Sequence, residues 1–333
     1  MEPDIYKAAS DRYDCGMLYR RCGKSGILLP AVSLGLWHNF GDVDPLARSR
    51  DIIHYAFDHG ITHFDLANNY GPSYGSAEET FGIIMQRSLL PYRDQLFIST
   101  KAGHDMWPGP YGEWGSRKYL MSSLDRSLQR MKLDYVDVFY SHRHDPVTPL
   151  EETLQALVDI VKQGKALYAG ISKYPTGEAL RAYAYMRERD VPCILYQGRY
   201  NILNREPLDE GILADATDNG VGFIAFSPLA QGLLTNRYID GIPADSRIAR
   251  GGYLKKESLT PETLQKIKAL DAVAQRRGQT LAQMSLAWLL ADSRVTSVIA
   301  GASSVAQLAD SLKALDNTTF SNEELEEIKR IVS

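Results

Sequence analysis

The strongest constraint on this chain is a repeat of form. Eight short runs rich in β-branched and aromatic residues recur along it, each followed by a stretch with helical spacing. They lie at 32–37 (VSLGLW), 62–67 (THFDLA), 96–101 (LFISTK), 137–142 (DVFYSH), 167–172 (LYAGIS), 193–198 (CILYQG), 222–227 (GFIAFS) and 297–301 (SVIAG). The segments between them, such as 49–60, 117–131 and 149–164, carry apolar residues at helical intervals. Strands alternating with helices imply a parallel sheet. Eight such units imply closure into a (β/α)8 TIM barrel, a fold of about 250 residues or more. An open doubly wound sheet is the alternative, but no GxGxxG turn follows any run. Three segments fall outside the eight units. Residues 18–30 read as an N-terminal β-hairpin turning at GKSG, placed to plug the barrel floor; 260–278 reads as an extra helix; the chain closes on a last helix beginning at SNEEL. No linker or internal repeat divides residues 1–333, so a single domain is expected.

Bulk properties exclude several classes of function. The formal net charge of -4 lacks the basic excess of a nucleic-acid binder. No apolar run approaches the roughly 18 residues of a membrane span. The first fourteen residues are polar, without the apolar core of a secretory signal. Cys15, Cys22 and Cys193 are odd in number and show no CxxC spacing, as expected of reduced thiols in a cytoplasmic protein.

Catalytic groups of such barrels sit at the carboxyl ends of the strands. The eight runs end on Trp37, Asp65, Lys101, His142, Ser172, Gln197, Ser227 and Gly301. Asp65 alone reads equally as a helix cap, and Lys101 alone as a lysine reaching for solvent. On neighbouring strands they are expected to form a buried ion pair, a costly arrangement that points to function rather than stability. Tyr70 follows on the loop. A free phenol titrates near 10, and the Lys101 ammonium is expected to lower that value. Tyr70 would then act as a general acid on a substrate oxygen, with His142 donating a hydrogen bond to the same atom. Strand alternation puts Val136, Val138, Tyr140 and His142 on one face and leaves His144 in the loop. No metal-ligand spacing and no nucleophile elbow is present, so a soluble electron donor would complete the chemistry. The seventh and eighth units can hold its phosphates. FSPLAQGLLTNRY (226–238) runs towards Arg237, and Arg247 adds countercharge. GASSVAQLADSL (301–312) starts a helix, with Ser304 and Gln307 spaced as a capping box.

These stretches resemble the aldo-keto reductases. The motifs are SLGLWHNFG, GITHFDLANNYGPSYGSAEE, ISTKAG, DMWPGPYG, FYSHRHD, GKALYAGIS, NGVGFIAFSPLAQGLLT and TSVIAGAS, spanning nearly the whole chain. The resemblance is closest to the branch that holds bacterial reductases of L-glyceraldehyde 3-phosphate and the β subunits of voltage-gated potassium channels. It implies a catalytic set of Asp65, Tyr70, Lys101 and His142, with NADPH across the barrel mouth. Phe226 would stack on the nicotinamide, Ser172 and Gln197 would bind its carboxamide, and Trp37 and Asp65 would sit at its edge. Ser227, Leu229, Gln231 and Arg237 would line the pyrophosphate, and Ser303, Gln307 and Ser311 the adenosine end. The implied reaction is NADPH-dependent reduction of a small aldehyde, L-glyceraldehyde 3-phosphate or methylglyoxal-like, by a homotetramer or larger homo-oligomer. Two departures stand out. Ser304 occupies the region where a cation for the 2′-phosphate is expected, with Asp310 beyond it, and little chain follows the last helix, so substrate selectivity is expected to differ. The loop 104–119 would overhang the pocket, with Trp37, Trp107 and Trp114 as walls; Arg117 reads as a phosphate contact or as a solvated helix-start charge. Two rival functions remain: a cofactor-sensing regulatory subunit, whose members tend to carry Asn in place of His142, and a Schiff-base enzyme using Lys101.

Overall fold

The computed structural model describes residues 6–243, 248–249 and 254–333. Strands β1 (Tyr19–Arg21) and β2 (Leu28–Pro30) form an antiparallel hairpin with Tyr19 opposite Pro30. The other strands are β3 (Val32–Gly35), β4 (His63–Asp65), β5 (Phe97–Ala102), β6 (Val136–Ser141), β7 (Ala166–Ser172), β8 (Cys193–Arg199), β9 (Gly222–Phe226) and β10 (Val295–Ala300). All eight are parallel to their neighbours and close in the order β10-β3-β4-β5-β6-β7-β8-β9. The expected barrel is therefore present, although β4 is only three residues long and β10 starts two residues earlier than anticipated.

Helices α1 (Leu46–Asp58), α2 (Ser76–Ile84), α3 (Arg117–Met131), α4 (Leu150–Lys162) and α5 (Thr176–Arg187) cover the outside of the first strands. Their stripes follow the apolar spacing: α4 buries Leu150, Thr153, Leu154, Leu157 and Val158. Two short helices, α6 (Glu206–Asp209) and α7 (Ile212–Asp218), link β8 to β9. Then come α8 (Pro261–Arg276), α9 (Leu281–Ala291), α10 (Val305–Leu312) and α11 (Asn322–Val332). Capping boxes start α9 (Thr280 with Gln283) and α11 (Ser321 with Glu324). Among the described residues no helix is long and apolar enough to cross a membrane.

Inside the barrel a small apolar cluster joins Val138, Tyr140, Leu195, Ile224 and Ile299 to Cys22 and Leu29 of the hairpin. The hairpin thus plugs the floor. Its turn approaches the start of β9 closely: Lys24 N donates to Gly220 O at 2.9 Å. A Cβ at Gly23 (φ +54) would stand 2.0 Å from Gly220 O, so the turn needs glycine there. A second core outside the barrel joins Leu233, Leu234 and Tyr238 to Ile267 and Leu270 of α8, Met284 of α9 and Ile328 of α11. Lying between the barrel and this second core, α9 is apolar nearly all round.

Above the hydrophobic floor the interior turns polar. His63 Nδ1 lies 2.8 Å from Ser33 Oγ and its Nε2 3.1 Å from Ser99 Oγ; Ser33 Oγ is 2.6 Å from Ser297 Oγ. Burial holds the His63 imidazole down at about 4, with Asp65 resisting and Lys101 assisting. A histidine whose folded value lies below its unfolded one stabilises the fold fully above pH 6.5 and loses that contribution as pH falls towards 4. We expect this single group to withdraw up to about 3 kcal/mol between pH 7 and pH 4. Urea unfolding of the wild type and of His63→Gln at both pH values checks this: the pH-dependent loss should be smaller in the variant.

Candidate active site

Three consecutive strands bring the polar exits together. Asp65 closes β4, Lys101 stands near the end of β5, and His142 follows β6, its N–H bonded to Ala102 O at 2.9 Å. Asp65 is 2% exposed, Lys101 0% and His142 6%. Lys101 Nζ donates to Asp65 Oδ2 at 2.7 Å and to Leu66 O at 2.6 Å. The other carboxylate oxygen, Oδ1, accepts from Ser99 Oγ at 2.7 Å and from Gln197 Nε2 at 3.0 Å. Ser99 spends its hydroxyl proton on Asp65, so it accepts from His63 Nε2–H. Neutral His63 therefore carries its proton on Nε2, and its Nδ1 accepts from Ser33.

The loop after β4 folds Tyr70 back over this pair. Gly71 turns with φ +98, where a Cβ would meet Ser76 Oγ at 2.2 Å, and Gly75 (φ +92) caps α2. Lys101 Nζ comes to 4.9 Å from the Tyr70 ring centroid. The Tyr70 ring stands edge-on to His142 at 5.8 Å and tilted to Trp37 at 6.3 Å. Asp65, Tyr70, Lys101, His142 and Trp37 thus share one mouth. His144 packs instead against Tyr174, ring to ring at 5.3 Å.

The electrostatics differ from expectation in one respect. Burial, and next the Asp65 charge, push the Tyr70 phenol well above 10, whereas the sequence argument has Lys101 lowering it. The reason is local: the ammonium is compensated by a carboxylate 2.7 Å away, so the pair presents little net positive charge, while removal from water disfavours phenolate. Burial pushes the Lys101 ammonium down against the pull of Asp65. His142 is driven well below 6.5 by burial and then by Lys173, Lys101, His104 and Arg143, so its imidazole is neutral.

Around the rest of the rim, Ser172 ends β7 and Gln197 lies near the end of β8, both buried. Ser172 Oγ and His142 Nδ1 are buried without a hydrogen-bond partner, and buried polar atoms left so normally serve a ligand or a functional state. Phe226 ends β9, half-buried. Beyond it the chain adopts left-handed backbone at Ser227 (φ 52), Ala230 (φ 46) and Gln231 (φ 58), a strained run that persists only where its surroundings hold it. Asn201 Nδ2 donates to Ser227 O at 3.0 Å, and the second core grips Leu233 and Leu234 just after Leu229 and Gln231. Arg237 sits exposed on the short turn Asn236–Tyr238; Arg247 lies outside the described residues.

At the start of α10, Ser304 Oγ accepts from Gln307 N at 3.2 Å. The reciprocal half of the anticipated capping box is not made. Gln307 Oε1 accepts instead from Ser303 N and Ser303 Oγ, both at 2.8 Å. Ser311 Oγ donates to Gln307 O at 3.0 Å, and Asp310 turns to α9, accepting from Gln283 Nε2 at 2.6 Å. Arg117 is not at the mouth. It pairs with Asp159 and its backbone N–H bonds Glu152, so it is the solvated helix-start charge. Trp107 packs on Tyr119 at 5.2 Å, and Trp114 lies under Arg143 at 3.6 Å. Two mouth residues escaped the sequence reading: His104, just past β5, and Lys173, just past β7. Lys173 directly follows β7, and only Gly103 separates His104 from β5; closeness to a strand exit is the one signal that would have found them.

Fold and mouth together define a barrel that holds a phenol, an ammonium, a carboxylate and an imidazole beside an extended rim. Residues 31–333 match the aldo/keto reductase family, and the chain belongs to that family of oxidoreductases. It is 54% identical to L-glyceraldehyde 3-phosphate reductase of Escherichia coli (strain K12), over 99% of this chain and 96% of that protein. It is also 37% identical to a probable voltage-gated potassium channel subunit beta of Arabidopsis thaliana, over 90% of this chain and 92% of that one.

Neutralising one member of a buried ion pair strands the other charge, at a cost of about 3–5 kcal/mol. Asp65→Asn is therefore expected to lose that much stability in urea unfolding, and the double variant Asp65→Asn/Lys101→Met to recover most of it.

Proposed function

We propose that this protein reduces a small aldehyde to the alcohol with NADPH, using Tyr70 as the acid. The observation that carries the reading is the position of Tyr70, over the Lys101–Asp65 pair and edge-on to neutral His142. The rim suits an extended dinucleotide: Ser172 has an unpartnered hydroxyl beside Gln197, Phe226 offers an aromatic face, and the strained loop at 227–231 is followed by the start of α10. Ser172, Gln197 and Phe226 would hold the nicotinamide, with Trp37 at its edge. Ser227, Leu229, Gln231 and Arg237 would hold the pyrophosphate, and Ser303, Gln307 and Ser311 the adenosine. When bound, the reduced nicotinamide supplies the hydride for the carbonyl carbon.

The rest is done by the chain. Tyr70 stays protonated at neutral pH because burial holds it so, and it gives its proton to the carbonyl oxygen as negative charge develops there. An alkoxide is a stronger base than an ordinary phenolate, and the burial that raises the Tyr70 phenol narrows that gap. Lys101, immobilised by Asp65 and Leu66 O, faces the phenolate as it appears. A neutral His142 can donate one hydrogen bond to the same oxygen and fix its orientation. The name of the Escherichia coli relative makes L-glyceraldehyde 3-phosphate the first substrate to try, with methylglyoxal as a reactive second. A cytoplasmic homotetramer is the accompanying proposal. The similarity to a channel subunit supports a second reading, in which the chain is a cofactor-sensing regulatory subunit.

Tyr70→Phe removes only the proton donor. Its turnover of methylglyoxal, followed by NADPH oxidation, is expected to fall roughly 100- to 10 000-fold while quenching of protein fluorescence by NADPH persists. Unchanged turnover overturns the acid assignment.

A further inference from the structure

Beyond His142, across His104 from it, lies a cation that the proposed reaction does not use. Lys173 directly follows β7 and takes left-handed backbone (φ 54), uncommon for a lysine. Its N–H bonds Gln197 O at 3.2 Å, and its Nζ stands 6.0 Å from the Phe226 ring centroid. That ammonium donates to His104 Nε2 at 2.7 Å. The His104 ring meets the His142 ring edge-on at 4.5 Å. The chain Lys173–His104–His142 therefore leads from the rim to the imidazole that stands edge-on to Tyr70.

The charges here are unbalanced. Among the described residues Lys173 has no carboxylate within ion-pair distance. Lys101 is spent on Asp65, and Arg143 on Glu113 and Gly103 O. The other nearby acid, Asp105, accepts from Tyr74 at 2.7 Å. By surface area Lys173 is an exposed residue on the rim; desolvation against the mouth, then Lys101 and Arg143, lower its ammonium to about 8. His104 is held down at about 4 by burial and next by Lys173, so its Nε2 accepts. One of three ammonium protons is thereby used, and two remain for a ligand. A lysine crowded by like charges and lacking a counterion gains most from an anion that binds beside it.

We propose that Lys173, steadied by His104, is the specificity-determining residue that receives the anionic group of the substrate, a phosphate or carboxylate carried by a small aldehyde. This rests on the reductase reading above, with Tyr70 and His142 holding the carbonyl end while the other end reaches Lys173. Such a contact sets which aldehyde is chosen without taking part in hydride or proton transfer.

The test compares glyceraldehyde 3-phosphate, succinic semialdehyde and uncharged glyceraldehyde as substrates of the wild type, Lys173→Asn and Lys173→Arg. Asparagine tolerates left-handed backbone and carries no charge, so Lys173→Asn is expected to fold. The kcat/KM ratio of an anionic over the uncharged aldehyde should fall roughly 10- to 100-fold in Lys173→Asn, the range for losing a charged hydrogen bond, and be largely restored in Lys173→Arg. Whichever anionic aldehyde shows the larger fall identifies phosphate or carboxylate as the group received. An unchanged ratio overturns the proposal. A matching fall in NADPH affinity, read by fluorescence titration, also overturns it, since the ammonium then serves the cofactor. Calorimetric titration with glycerol 3-phosphate, which cannot be reduced, separates the two readings. If the wild type turns over none of these aldehydes the reductase reading fails. Binding that is lost in Lys173→Asn then still supports the anion site, and binding that is equal in both proteins overturns it.

Discussion

A charge pair taken out of water, Lys101 with Asp65, sets the terms for the whole mouth. Desolvating two ions costs several kcal/mol each, and the surroundings offset it by engaging both carboxylate oxygens. Ser99 and Gln197 hold one, the ammonium takes the other, and Leu66 O takes a second ammonium proton. His63 and Ser33 extend the hydrogen-bond chain downward, with each donor aimed towards the carboxylate. The same compensation that makes the pair tolerable also mutes it. Tyr70 senses burial and the negative end of the pair, so its phenol is a weak acid held in its proton-bearing form. The ammonium's service would come later in the reaction, when a phenolate needs a cation already in place.

Much of this was legible in the sequence because strands carry geometry in their spacing. Parallel pairing and a period of two decide where an exit residue lies, so Asp65, Lys101 and His142 were placed together from order alone. Loops carry no such rule. Arg117 admits two readings, and only the contacts with Asp159 and Glu152 of the neighbouring helix decide for the solvated helix-start charge over a place at the mouth. Lys173 and His104 are not legible in the same way because each lies in the loop after a strand, where no pleat fixes the direction of a side chain. The sign of the Tyr70 perturbation was misread for a different reason: a sequence shows that a cation is near, but not that its charge is already answered.

The second core explains a feature the strand pattern does not reach. The left-handed run after β9 lies on the rim, where backbone strain would relax if its ends were free. Leu233, Leu234 and Tyr238 fasten it to α8, α9 and α11. The extra helices therefore act as a scaffold for one rim loop, and α9, apolar on both sides, is the wall they share with the barrel.

Barrel closure has a consequence for how the protein is made. The first strand of the ring, β3, pairs with the last, β10, and Ser33 touches Ser297 across 264 positions of chain. At ordinary ribosomal speeds the interval between them is on the order of tens of seconds. Throughout that time the outer edge of the first strand has no partner, and a nascent chain that stalls short of β10 presents two bare edges able to pair with strands of other molecules.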